Sequence, residues 1–313
     1  MLNFLPGPVK AGFAFLLYAL NTFFWLCPII VFSLLKALVP LPLWQKIFSY
    51  LLDQMASNWV AVNTLNQKLF TKTEFVVTGS EQLAMHDWYL VLSNHQSWVD
   101  ILVLQRLLHG KIPFLKFFLK KELIYVPFLG IAWWALDFPF MKRYSQSFLR
   151  KHPELKGKDI ETTRKACEKF KHKPVSVMNF IEGTRYTRAK HDKQQSKFTH
   201  LLRPKAGGIA FVLEAMGEHL TKVVDVTIYY PEGIPSFLDF ISGRVNKIVV
   251  DIKIKPIESA MIGDYFNDKQ FKISFQQWVN QLWLEKDETL KAMNRQQPDS
   301  ASSQDPLALK KPL

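Results

Sequence analysis

The alternation of apolar and polar positions divides the chain into three kinds of segment. From Ala11 to Leu35 no charged residue occurs, and Lys10 and Lys36 flank the run. A helix needs about 20 apolar residues to cross a bilayer, so a membrane-embedded helix is expected here. The run is too long for the apolar part of a cleaved signal peptide, and no small-residue cleavage pattern follows it. Asn21 and Pro28 lie inside it, so a spanning helix and a kinked or re-entrant one both fit. The next stretch, 41–65, places Trp44, Ile47, Tyr50, Leu51 and Met55 at helical spacing, which suits a core helix and an interfacial helix alike.

Beyond residue 70 the period changes. "EFVVTG" (74–79), "WYLVLSN" (88–94), "DFPFMKR" (137–143), "VSVMNFIEG" (175–183), "KVVDVTIYY" (222–230) and "NKIVVDIKI" (246–254) read as strands. Between them "SWVDILVLQRLLHG", "IETTRKACEKFKHK" and "AGGIAFVLEAMGE" read as helices, and a last helix is expected over 270–293. Strands alternating with helices predict an α/β fold with a mixed, largely parallel sheet flanked by helices. The expected organisation is an N-terminal anchoring part over 1–70, one main domain over 71–292 and a polar, disordered tail over 293–313.

Composition adds two constraints. Aromatic residues make up 14% of the chain, and runs such as "NTFFWLC", "PFLKFFLKK" and "GIAWWALDFPF" suggest contact with lipid. The net charge of +13 is concentrated between Lys142 and Lys205, where 18 Lys or Arg face 6 Asp or Glu. Nucleic acid, an anionic membrane and phosphorylated small molecules all meet such a surface, as does solvent alone. A nucleic-acid binder would interleave exposed aromatics with the basic residues, whereas here the aromatics lie mostly in the first 140 residues. Two cysteines, Cys27 and Cys167, give neither a metal-ligand spacing nor a disulfide framework.

Two strand ends carry candidate chemistry. In "LSNHQSWVDILVL" a strand ends near Ser93, and Asn94 and His95 stand where α/β sheets commonly bind ligands. If Ser97 caps the next helix, Asp100 falls in its first turn. The imidazole of His95 can then fold back so that the carboxylate accepts its Nδ1 proton and leaves Nε2 free as a base. No Ser or Cys near His95 stands in a nucleophile-elbow context, so the proton to be removed belongs to a bound hydroxyl. In "VSVMNFIEGTRYTR" a buried strand runs into Glu182, Gly183, Thr184 and Arg185, where glycine permits close backbone approach and the guanidinium can grip a phosphate bidentately.

Together these residues resemble the 1-acylglycerol-3-phosphate acyltransferases, within the wider lysophospholipid and glycerophospholipid acyltransferase family. The family's first motif, Asn-His, four residues and Asp, matches Asn94, His95 and Asp100. Its third, Phe-Pro-Glu-Gly-Thr-Arg, matches Phe180 to Arg185 with Ile181 for proline. Its second, ending Phe-Ile-Asp-Arg, is similar to Phe140 to Arg143 with Lys142 for aspartate, and "LKKELIYVPFLG" resembles the stretch preceding it, which brings in Lys120. The fourth, Val-Pro-Val, is matched poorly by Val224, Asp225 and Val226; this, with "LLRPKAGG" and "DVTIYY", looks more like the branch containing lysocardiolipin acyltransferase and the bacterial YihG proteins.

The resemblance implies that His95 is the base and Asp100 its orienter, with a glycerol hydroxyl attacking the thioester of acyl-CoA or acyl-carrier protein directly. It implies that Arg185, Arg143 and Lys120 hold the acceptor phosphate in a site completed by Glu182, Gly183 and Thr184, and that no metal or redox cofactor takes part. The implied partners are a phospholipid membrane, a lysophospholipid acceptor and the acyl thioester, not nucleic acid. The implied location is the cytoplasmic face of a bacterial inner membrane. Acceptors other than lysophosphatidate, and an inactive membrane-surface binding protein, are the alternative readings.

Overall fold

Strand β2 (Tyr89–Ser93) is apolar on both faces and fully buried, and the rest of the fold is arranged around it. The computed structural model describes residues 5–138, 140–141 and 173–296. The elements are α1 (Gly7–Leu38), α2 (Pro42–Phe70), β1 (Glu74–Thr78), β2, α3 (Val99–Leu108), β3 (Leu115–Phe117), β4 (Leu119–Lys120), α4 (Leu129–Ala135), β5 (Phe140–Met141), β6 (Ser176–Asn179), α5 (Arg188–Gln194), α6 (Gly207–Met216), β7 (Lys222–Tyr229), α7 (Phe237–Ile241), β8 (Lys247–Pro256) and α8 (Lys269–Arg295). The basic helix expected before Lys173, the strand beyond Met141 and most of the expected tail lie outside the described residues.

The main sheet has the order β1-β8-β7-β2-β6-β3, and only β7 and β8 pair antiparallel. The mixed, largely parallel sheet expected from the alternating pattern is therefore present. Successive side chains of a strand point to opposite faces. Accordingly Tyr89 and Val91 join one core with α1, α2 and α3, while Leu90 and Leu92 join a second with α6 and α8. β2 pairs parallel with β7 on one side and β6 on the other, so the carboxyl ends of three neighbouring strands meet. That crevice is where open α/β sheets bind ligands.

The N-terminal hairpin packs onto the same side as α3. α1 runs unbroken through Pro28, about 48 Å at 1.5 Å per residue. Among the described residues it is the one helix long and apolar enough to cross a membrane. Asn21 faces the partner helix, where its Nδ2 donates to Asn63 Oδ1 at 2.8 Å and to the Trp59 carbonyl at 3.0 Å. Asn66 Nδ2 donates to the Ala14 carbonyl at 2.9 Å. Both ends of α1 rest on the sheet domain: the Lys10 ammonium lies against Gly243, and Lys36 forms an ion pair with Asp137. α1 therefore lies along the domain with its other face bare.

Two expectations need correction. The buried stripe of α2 is Phe48, Leu52, Ala56, Val60, Asn63, Gln67 and Phe70, whereas Ile47 and Tyr50 point outward. Small and polar residues at the α1 contact hide this stripe from a hydrophobicity pattern. The run "PFLKFFLKK" does not all face lipid: Leu115, Lys116 and Phe117 form the buried edge strand β3. Its lysine is accommodated because Lys116 Nζ donates to the Leu136 carbonyl at 2.6 Å and pairs with Asp53 at 3.0 Å.

Asp225, at the poorly matched fourth motif, has a structural counterpart in Lys286 of α8. Their charged atoms are 2.7 Å apart and both residues are buried; Lys286 also donates to the Val226 carbonyl at 2.6 Å. Removing one member of such a pair leaves the other charge uncompensated, which costs about 3–5 kcal/mol, whereas replacing both by apolar residues is far milder. Chemical denaturation is therefore expected to show a large loss of stability for Asp225→Ala and a small change for Asp225→Val combined with Lys286→Met.

Candidate active site

His95 follows β2 and is held at its main chain before its ring is considered. Its carbonyl accepts from the Tyr186 N–H at 2.7 Å, and its own N–H points to Glu182 Oε1 at 3.4 Å. The turn after β6 thus fastens the turn after β2. Regular α3 begins at Val99, and the Ser97 hydroxyl accepts from Val99 N–H at 3.1 Å, the hydrogen bond of a helix cap, while donating to the Pro235 carbonyl at 2.5 Å.

Asp100, in the first turn of α3, is buried and collects four hydrogen bonds. Its Oδ2 accepts from the main-chain N–H groups of Gln96 at 2.6 Å and Ser97 at 2.8 Å, and lies 2.9 Å from His95 Nδ1. Its Oδ1 accepts from the Tyr230 hydroxyl at 2.5 Å. A carboxylate so supplied is an acceptor only, so in the neutral imidazole the shared proton lies on Nδ1 and Nε2 is the acceptor. Burial, then the Asp100 charge, pushes the Tyr230 hydroxyl well above its ordinary range, so it remains a donor. Phe180 stacks on the imidazole with centroids 3.9 Å apart and planes at 13°, which restricts the ring's rotation.

The "EGTR" turn divides its work among four residues. Gly183 has φ +71°, a left-handed conformation that glycine adopts without a Cβ penalty, and its N–H donates to the Phe180 carbonyl at 2.9 Å. Thr184 Oγ1 and the Arg185 carbonyl accept from Lys190 Nζ at 2.8 and 2.9 Å. The Arg185 side chain is exposed, with its guanidinium carbon 4.9 Å from the centroid of the Trp98 ring, a cation–π contact. Glu182 differs from its expected place among substrate-binding groups: it is fully buried and turned toward the His95 main chain. Lys120 lies on β4, which pairs with β5, and Arg143 lies outside the described residues.

The Acyltransferase family model matches residues 74–231, a span from β1 through the end of β7 that contains His95, Asp100 and the "EGTR" turn. This chain belongs to that acyltransferase family. It is 24% identical over 264 residues to lysocardiolipin acyltransferase 1 of Gallus gallus, covering 80% of this chain and 64% of that protein. It is 25% identical over 211 residues to 1-acyl-sn-glycerol-3-phosphate acyltransferase gamma of Homo sapiens, covering 63% of this chain and 51% of that protein. The chain thus spans between half and two thirds of the length of these relatives. The crystal structure of the 1-acyl-sn-glycerophosphate acyltransferase PlsC from Thermotoga maritima aligns with a TM-score of 0.48 at 19% identity, over 88% of this chain and 96% of that one.

Three residues of this candidate site carry no mark in the sequence of this acyltransferase family member. Tyr230 is only a strand end in the sequence, since nothing local marks a hydroxyl that meets a carboxylate 130 positions earlier. Trp98 lies inside the first motif but at a position the motif leaves open. Lys190 was one charge in a long basic block. Among the described residues no three His, Cys, Asp or Glu side chains gather to hold a metal ion.

Burial, reinforced by Asp100 and opposed by main-chain hydrogen bonds from His95 and Leu202, raises the Glu182 carboxyl well above its ordinary 4.5. A carboxyl with a raised folded-state pKa stabilises the fold while protonated; that contribution is complete below about pH 4.5 and is lost as pH rises through the folded value. Glu182→Gln keeps a neutral side chain of the same shape at every pH. Its stability relative to the parent is therefore expected to rise with pH from about 4.5 upward. Denaturation midpoints measured across that range test this, and a pH-independent difference would contradict a raised pKa.

Proposed function

We propose that this chain is a membrane-bound O-acyltransferase that transfers a fatty acyl group from acyl-CoA or acyl-carrier protein to the free hydroxyl of lysophosphatidate, yielding phosphatidate. The observation that carries this reading is a His95–Asp100 pair with, among the described residues, no Ser or Cys hydrogen-bonded to Nε2, three residues before the Trp98 ring on which the exposed cation Arg185 lies. Nε2 accepts the hydroxyl proton as the oxygen attacks the thioester carbonyl, the ester C–O bond forms, the C–S bond breaks, and the leaving thiolate takes the proton from the imidazolium. The Asp100 charge stabilises that imidazolium. Arg185, with Lys190 beside it, Lys120 from the stretch before the second motif and Arg143 at that motif's end, binds the acceptor phosphate. The bare apolar face of α1 anchors the chain, and the basic domain favours the anionic cytoplasmic face of a bacterial inner membrane.

A second reading changes only the acceptor. The similarity to the Gallus gallus protein, named for lysocardiolipin, extends over 80% of this chain and favours a lysophospholipid with a larger headgroup. An acyl-transfer assay on isolated membranes with a panel of lysolipid acceptors and both thioester donors separates the two.

His95→Ala is expected to lower acyl transfer by about 10² to 10⁴-fold while membrane recovery is unchanged, the usual range for loss of a general base. Asp100→Asn is expected to be severe too, because an amide can favour the wrong imidazole tautomer. Near-normal turnover in either variant would refute the mechanism. Arg185→Lys keeps the charge but loses the planar fork and its stacking on Trp98. Arg185→Lys and Trp98→Ala are therefore both expected to raise KM for the acceptor more than KM for the donor. A defect confined to donor saturation would assign the turn to the other substrate.

A further inference from the structure

The segment between β4 and β5 carries an outward apolar stripe that the proposed chemistry does not use. Phe128, Ile131 and Trp134 recur every third residue along α4 and are about half exposed, and Tyr125 just before them is 80% exposed. The other side of the segment is fixed: Ala135, Leu136 and Phe138 are buried in the α1–α3 core. A Cβ on Gly130 would stand 2.0 Å from the Ile124 carbonyl, so the turn before α4 and α4 itself meet backbone to backbone. The stripe is thus presented by a rigidly seated element.

It is also continuous with α1. Phe23 packs edge-on against Phe128 with ring centroids 5.0 Å apart, Lys36 pairs with Asp137 where α4 ends, and Leu20, Phe23 and Phe24 stand exposed on the same helix. An apolar surface of this extent is not left to water in a soluble monomer. We infer that α4 is a second membrane-contact element, its Phe128, Ile131 and Trp134 stripe lying in the same lipid layer as the outer face of α1. This rests on the reading that α1 is embedded. The occupant is the acyl-chain region of a phospholipid bilayer, because the stripe extends a surface that already has membrane composition and carries no charge that would select an acidic protein. β4, which holds Lys120, and β5 adjoin this element and so stand at the lipid boundary, where an acceptor can reach them without leaving the bilayer.

The test uses the full chain with Cys27→Ser and Cys167→Ser, reconstituted in phosphatidylcholine–phosphatidylglycerol vesicles. An environment-sensitive fluorophore is attached through Trp134→Cys, through Phe24→Cys on α1, or through Leu284→Cys on α8 at the far face of the sheet. Blue-shifted emission at positions 134 and 24, quenched by a nitroxide on the lipid chains, with neither effect at 284, is the expected result. Quenching at 24 with position 134 behaving like 284 would overturn the inference while leaving α1 embedded. No quenching at 24 or 134 would remove the anchoring reading and this inference with it. Emission at 134 that responds only to added acyl-carrier protein would make the stripe a protein-docking surface instead.

Discussion

A carboxylate removed from water must find its hydrogen bonds in the protein, and Asp100 is the point on which this site depends. Its four donors come from the turn after β2, from the His95 ring and from the end of β7. Satisfying one buried charge therefore brings two strand ends to the same point and aims Nδ1 of His95 at it as a by-product. The third strand end, that of β6, is fastened through the His95 main chain. Displacing any one of these strands would leave a buried polar group unpaired, so the placement of His95 is tied to the stability of the sheet.

Much of the fold was legible because parallel strands buried on both faces read as apolar runs, and β2, β6 and β7 are such runs. The His95 and Asp100 pairing was legible for a local reason: five residues across a strand-to-helix turn leave few geometries. Contacts set by distant packing were not legible. Tyr230 reaches Asp100 only once β7 lies beside β2, and the burial of Glu182 follows from packing beneath two turns. The same limit explains α2, whose contact stripe includes Ala56, Asn63 and Gln67, residues no hydrophobicity pattern selects. It also explains β3, where a lysine in an aromatic run concealed an edge strand.

The polar residues of the N-terminal hairpin fit this picture. Apolar helices slide on one another at little cost, and a few hydrogen bonds between them fix one register. Asn21 with Asn63 and Asn66 with Ala14 supply that register. Because Lys10 and Lys36 hold the two ends of α1 against the sheet domain, the outer apolar face keeps a set orientation relative to the crevice.

The ion pair between Asp225 and Lys286 bears on how the protein is made. The two residues are separated by 61 positions, and α8 follows every strand of the sheet in the chain. While a ribosome has released β7 and β8 but not α8, Asp225 sits in a strand flanked on both sides and lacks its counter-charge. Its carboxylate then remains turned to water on a face that α8 has yet to cover, and becomes buried only together with its counter-charge. The sheet face that carries Asp225 is therefore completed only after synthesis has passed Lys286, so the last helix of the chain, not the first, sets when that half of the core can consolidate.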